Sequence, residues 1–139
     1  MKIEHLNLVV NDLQQTLKFY QAAFPHWSVR GEGQQVWYGV SRRWLHLGDE
    51  FNYITFNDQG TGDNRDLTSN QLGLAHFGFE TSNLEAVIER LSKAGFSIHK
   101  DGADSPYRRN VYFLDPSGFE VEFVEYLSDL PKERNQYDV

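Results

Sequence analysis

Tyr112-Phe113-Leu114-Asp115-Pro116-Ser117-Gly118-Phe119-Glu120-Val121-Glu122-Phe123 is the run on which the fold turns. Asp-Pro-Ser-Gly is turn chemistry: proline presets the backbone at its position, while aspartate and glycine supply the side-chain acceptor and the conformational freedom of a tight reversal. The flanking residues are aromatic and β-branched, so two strands are expected, 110–114 and 119–126, joined by that turn. Successive strand side chains point to opposite faces, so Val121 and Phe123 make an apolar face and Glu120, Glu122 and Val124 point away from it.

Working outward, Leu74-Ala75-His76-Phe77-Gly78-Phe79-Glu80 reads as a strand. Ser82 or Asn83 then caps a helix whose apolar stripe is Leu84, Val87, Ile88 and Leu91. The N-terminal end repeats this pattern: Ile3-Glu4-His5-Leu6-Asn7-Leu8-Val9-Val10 is a strand, Asn11 or Asp12 a cap, and 12–24 an amphipathic helix with Leu13, Leu17 and Tyr20 or Phe24 on one side. His5 falls over His76, Leu6 over Phe77 and Leu8 over Phe79. Short strands are expected after the first helix at about 27–31, 35–40, 43–48 and 52–57, and after the second at 96–99 before the terminal hairpin. The fold class is therefore α+β: two tandem βαβββ modules forming a curved mixed sheet, with helices outside and an open cleft for a metal or ligand. Module one is 1–57, a Gly/Asp/Asn-rich linker long enough to move is 58–70, module two is 71–127, and 128–139 is a loose C-terminal arm.

Composition narrows the function. The 139 residues contain 13 Lys plus Arg and 20 Asp plus Glu, a net charge of −7 that opposes binding to a phosphate backbone, so no nucleic-acid partner is expected. There is no cysteine, which excludes disulfides, thiolate zinc sites and a thiol nucleophile, so any metal takes nitrogen and oxygen ligands. No secretory pattern opens the chain and no apolar run has the ~18 residues of a membrane helix, so a cytoplasmic protein without a membrane partner is expected.

The same alternation leaves His5 and Asn7 opposite Leu6 and Leu8, and His76 and Gly78 opposite Phe77 and Phe79. Three strands thus send His5, His76 and Glu122 to the side the helices do not cover. Two imidazoles and a carboxylate with open positions are a facial triad suited to iron(II), manganese, nickel or zinc. The plain alternative is a pair of surface histidines and a solvated strand carboxylate. Arg42-Arg43 and Arg108-Arg109 are basic pairs that would hold a substrate carboxylate or phosphate at a cleft rim, or else are solvated loop charges. Trp27, Trp37, Tyr38, Trp44 and Tyr53 either wall the cleft or fill the core.

Glu4-His5-Leu6-Asn7-Leu8-Val9-Val10, Ala75-His76-Phe77-Gly78-Phe79 and above all the Asp-Pro-x-Gly-x-x-x-Glu run ending at Glu122 resemble the vicinal oxygen chelate superfamily, from Ile3 to about Tyr126. That superfamily includes glyoxalase I, extradiol dioxygenases, fosfomycin-opening thiol transferases and bleomycin-resistance proteins. The resemblance implies a divalent-metal enzyme in which His5, His76 and Glu122 hold the ion and a small metabolite chelates it through adjacent oxygens. Lyase or isomerase chemistry of the glyoxalase kind leads, and extradiol dioxygenase or thiol transferase chemistry follows. A metal-free, bleomycin-resistance-like binding protein is the alternative of another class. Glyoxalase I-like members place a fourth ligand where this chain has Thr55, and the transferase branch places phosphonate contacts near Lys100 and Tyr112. Its first-strand Thr is Asn7 here, and its arginine beyond the last strand is Pro131. The substrate-binding candidates are accordingly Asn7, Thr55, Lys100, Arg109 and Tyr112. His46, Tyr53 and Tyr112 are candidate acid/base groups for a dioxygenase, and no catalytic residue is assigned. The resemblance also implies a homodimer, with sites in some members shared between chains.

Overall fold

The computed structural model describes residues 1–137 of the chain. Module one runs β1 (His5–Val9), α1 (Leu13–Ala23), β2 (Ser28–Trp37), β3 (Val40–Gly48) and β4 (Tyr53–Asn57). Module two runs β5 (Phe77–Glu80), α2 (Leu84–Lys93), β6 (Lys100–Asp101), β7 (Arg108–Leu114) and β8 (Glu120–Tyr126), followed by one helical turn, α3 (Pro131–Arg134). Each module makes its own four-stranded mixed sheet, in the orders β1-β4-β3-β2 and β5-β8-β7-β6. In each, the first strand lies parallel to the last and the other pairs are antiparallel. The two βαβββ modules expected from the repeat are present.

Local chemistry sets the boundaries. Asp12 caps α1 by accepting the Gln15 N–H at 3.0 Å, and Asn83 caps α2 by accepting that of Ala86 at 3.0 Å. Between β7 and β8, Asp115 Oδ1 accepts the N–H groups of Ser117 and Phe119, both at 2.9 Å, and Gly118 adopts φ +83°. The separate strands expected at 27–31 and 35–40 are one ten-residue strand, β2. Gly33, which fell between those two expected strands, lies inside it, and the reversal comes at Tyr38-Gly39, both at positive φ as a two-residue hairpin requires. The strand expected at 96–99 is instead the two-residue β6. Phe96 is apolar because it packs edge-on against Phe19 at 5.0 Å, not because it alternates in a sheet.

Helix α1 is wedged between the two sheets. Tyr20 packs on Phe56 of module one (4.8 Å), Phe19 on Phe113 (6.4 Å), and Phe24 on Phe79 (4.7 Å) and Phe123 (5.9 Å) of module two. One continuous core results. Arg90 of α2 fixes the seam by donating to the carbonyls of Ala22 (2.9 Å) and Ala23 (3.1 Å), which end α1 without helical partners. The Tyr20 hydroxyl, fully buried, donates to Asp115 Oδ2 at 2.7 Å, tying α1 to the β7–β8 turn. The linker is tied down rather than free: the Gly60 N–H donates to the Val10 carbonyl at 2.9 Å and Asn64 Nδ2 to that of Gly118 at 2.9 Å. The arm is likewise docked, with Arg134 3.1 Å from Glu80 and over the Tyr126 ring at 3.8 Å.

Candidate metal centre on two open sheet faces

Because both sheets turn their apolar sides to the shared helical layer, their polar sides face away from it and from each other. Register assigns these faces. On module one, His5 lies beside Tyr53, Asn7 beside Thr55, and His46 beside Thr55 on the far side. On module two, Gly78 and Tyr112 flank Glu122, and Lys100 lies beside Tyr112. Thr55 therefore occupies in module one the place that Glu122 occupies in module two, since Asn7–Thr55 and Gly78–Glu122 are equivalent pairs.

His76 and Glu122 come together: Nε2 of the imidazole is 3.3 Å from Oε2 of the carboxylate. Two donors each about 2.1 Å from one ion, at an angle slightly above 100°, are separated by about that distance. The chain's own groups hold this pair. Asn110 Nδ2 donates to Glu122 Oε1 at 2.8 Å, leaving Oε2 toward His76, and Nδ1 of His76 faces the buried Glu120 at 3.8 Å. Glu120 also pairs with Lys100 at 3.1 Å and lies 3.9 Å from His99. Lys100 sits over the Tyr112 ring at 4.5 Å. Burial, then the charge of Glu122, push the Tyr112 phenol up, so it remains a hydroxyl donor at neutral pH.

His5 is not with them. The expectation that it would share one cleft with His76 and Glu122 assumed a single curved sheet, but α1 packs on both sheets and puts the first-strand histidine on a separate face. Among the described residues no three His, Asp or Glu side chains gather closely enough to hold an ion. His5 is nonetheless prepared in the same manner. Its Nδ1 hydrogen-bonds Glu4 Oε1 at 2.9 Å, which holds the Glu4 carboxyl below its usual range and leaves the other ring nitrogen available. Its ring stacks on Tyr53 at 4.8 Å, and His46 stacks on Tyr53 at 4.6 Å. Burial, then the charges of Arg30 and His5, hold the His46 imidazole below its usual range.

Asn7 and Thr55 share the face of His5, and Lys100 and Tyr112 that of Glu122. Asn7 Oδ1 accepts from Asn57 at 2.6 Å. Arg109 lies on neither face. It is one residue out of step with Asn110 and Tyr112, points to the helix side, and meets Glu85 of α2 at 3.5 Å. Glu4, Asn110 and Glu120 were not among the site residues read from sequence. Alternation places Asn110 and Glu120 on the face of Glu122, but only the fold shows what they touch.

A groove of about 860 Å³ runs between the free edges of β1 and β5, lined by His5, Leu6, Phe24, Trp27, Phe79 and Arg90 among others. No helix of the described residues is long and apolar enough to cross a membrane.

The comparisons with known proteins agree with this architecture. A lactoylglutathione lyase of Schizosaccharomyces pombe is 26% identical over 150 residues, covering 94% of this chain and 49% of that protein, so the chain spans about half the length of this curated relative. A glyoxylase/bleomycin resistance protein/dioxygenase domain from Frankia sp. EAN1pec superposes with TM-score 0.74 at 20% identity over 98% of each chain. The fosfomycin resistance protein FosX from Listeria monocytogenes, in a structure with Mn(II) and sulfate, superposes with TM-score 0.65 at 18% identity, covering 97% of this chain and 98% of that one. At these identities the structures speak for the fold. The sequence profile that spans residues 2–123, from before β1 into β8 and so across both open faces, is that of the Glyoxalase/Bleomycin resistance protein/Dioxygenase superfamily, and the chain belongs to it.

Proposed function

We propose that the chain is a divalent-metal-dependent enzyme of the glyoxalase or dioxygenase type, with lyase or isomerase chemistry on a small molecule bearing adjacent oxygens, and that it works as a homodimer. The observation that carries this reading is the His76–Glu122 pair, 3.3 Å apart on an open face, with the Asn110 carboxamide holding Glu122 at 2.8 Å and the Glu120 carboxylate 3.8 Å from the imidazole. A nitrogen donor and an oxygen donor so held suit manganese, iron, nickel or zinc. His5, on the face of module one, is the matching third donor, and a second copy laying that face over the module-two face completes the set. The unpaired edges of β1 and β5 give the copies further surface on which to associate. The Mn(II) bound by FosX and the lyase activity named for the fission-yeast relative support the class of ion and of reaction.

When bound, the ion polarises substrate oxygens and stabilises negative charge that develops on them. Around it, Lys100 offers a cation and the Tyr112 hydroxyl a hydrogen-bond donor to the same substrate, while Asn110 keeps Glu122 oriented. The test is Mn(II) binding followed by electron paramagnetic resonance, with sedimentation of the same samples. The parent is expected to bind about one ion per chain as a dimer, and His76→Ala to remain dimeric with at least tenfold weaker binding. Equal binding by both proteins, or none by the parent with any of the four metals, refutes the reading.

A further inference from the structure

We infer that Tyr53 is the positioning residue for the histidine of the first sheet: together with Glu4 it fixes the His5 ring so that Nδ1 carries the proton and Nε2 is the atom left to bind. This role rests on the reading of His5 as a metal donor. Tyr53 meets the Glu4-His5 pair three times. Its backbone N–H donates to the Glu4 carbonyl at 3.2 Å, its hydroxyl donates to Glu4 Oε1 at 3.3 Å, and its ring stacks on the imidazole at 4.8 Å with the planes 11° apart. The same Glu4 oxygen lies 2.9 Å from His5 Nδ1. An ionised carboxylate only accepts, so the proton between these two groups belongs to Nδ1. Among the described residues no hydrogen bond engages Nε2.

Tyr53 is itself held in place. His5 lies on β1, the strand on one side of β4, and His46 on β3, the strand on the other, and the His46 ring stacks on Tyr53 at 4.6 Å with the planes 25° apart. Tyr53 is thus the middle ring of three, at the spacing of favourable aromatic pairs. Asn52, the residue before it, anchors the start of β1 by donating from Nδ2 to the Ile3 carbonyl at 2.9 Å. The second sheet backs its histidine from the same lattice position. Thr55 and Glu122 are equivalent, so Tyr53, two residues before Thr55, is the equivalent of Glu120, two residues before Glu122. Glu120 is the group that faces Nδ1 of His76 at 3.8 Å, with Nε2 turned to Glu122. One sheet sets a carboxylate behind its histidine directly. The other sets a phenol there that holds the carboxylate of the neighbouring residue, and the Tyr53 hydroxyl is thereby committed to Glu4 rather than offered to a substrate.

The experiment reads the His5 ring directly, by proton–nitrogen correlation NMR of the isotope-labelled, metal-free full chain at about pH 8, where an ordinary imidazole is neutral. The parent should show Nδ1 protonated and Nε2 bare. Tyr53→Leu and Glu4→Ala should lose that bias and give a mixture of both tautomers, while Tyr53→Phe, which keeps the stacked ring but not the hydroxyl, should fall between them and the parent. Mn(II) affinity, followed by electron paramagnetic resonance, should drop about tenfold or more in Tyr53→Leu and less in Tyr53→Phe. Glu4 is exposed, so where Tyr53→Leu fails to fold, the spectra of Glu4→Ala and Tyr53→Phe decide the matter. A parent His5 protonated on Nε2, a tautomer unchanged in every folded variant, or parent-like Mn(II) affinity in a folded Tyr53→Leu overturns the inference. A parent that binds no metal refutes the reading of the metal centre instead, and the tautomer comparison then decides alone whether Tyr53 positions His5.

Discussion

Tyr20→Phe removes one oxygen atom from the seam between the modules, and its effect can be worked from the structure. The Tyr20 hydroxyl is fully buried and donates at 2.7 Å to Asp115 Oδ2, and Asp115 is 4% exposed. The other carboxylate oxygen already serves the Ser117 and Phe119 N–H groups, so phenylalanine leaves Oδ2 without its donor. A lost hydrogen bond to a charged acceptor of this kind costs about 1.5–3 kcal/mol. For 139 residues the unfolding entropy makes each kcal/mol worth roughly 3 °C, so Tm should fall by about 5–10 °C. The effect has a pH signature. Burial pushes the Asp115 carboxyl up, and the Tyr20 hydroxyl is the leading group holding it down, so the variant's Asp115 rises further. A carboxyl with a raised folded pKa stabilises the protein most at low pH, and that contribution is lost as pH rises from the unfolded value through the folded one. The loss reaches further in the variant, so its destabilisation should be greater at pH 7 than at pH 5. Urea unfolding followed by tryptophan fluorescence, at one protein concentration because the chain is proposed to dimerise, measures both numbers. A variant within about 0.5 kcal/mol of the parent at pH 7, or one more destabilised at pH 5 than at pH 7, refutes the reasoning.

Gly102→Ala should weaken Mn(II) binding about tenfold while the chain stays folded, because the new Cβ would lie 1.8 Å from Asn110 Oδ1 and displace the carboxamide that orients Glu122; unchanged affinity in a metal titration refutes this. Glu120→Gln removes the charge paired with Lys100 at 3.1 Å and facing His76, and should weaken Mn(II) by a similar factor, with Glu120→Asp retaining part of the affinity. Arg90→Ala strips the cap from two carbonyls at the end of α1 and should cost about 1–3 kcal/mol in urea unfolding; a cost below about 0.5 kcal/mol would show the cap to be idle.

The sequence carried what is local. Period-two alternation separated Leu6 and Leu8 from His5 and Asn7, and Phe77 and Phe79 from His76, and the burial of those strands follows it. Asp12 and Asn83 stood among the expected caps, and Asp-Pro-Ser-Gly made its turn. Three features were not legible, each because it depends on a distant partner. The break expected between 31 and 35 is absent, and Gly33 within it makes room for Trp44 on the next strand. Phe96 has the composition of a strand residue but fills a gap beside Phe19 of the other module. The packing of α1 on both sheets, secured by Tyr20–Asp115 and Arg90, separates His5 from His76 and Glu122, and no spacing within the chain records that.

That separation makes the shared metal centre directly testable. His5→Ala and Glu122→Ala chains, carrying different affinity tags and produced together, can be purified as heterodimers and assayed for Mn(II). Each variant alone should bind at least tenfold more weakly than the parent. The heterodimer, in which one face pair keeps His5 from one chain and His76 and Glu122 from the other, should recover about one tight site per dimer. A heterodimer that binds no better than either variant, or a His5→Ala protein that binds like the parent, would contradict the proposal that the two open faces meet across a dimer to hold one ion.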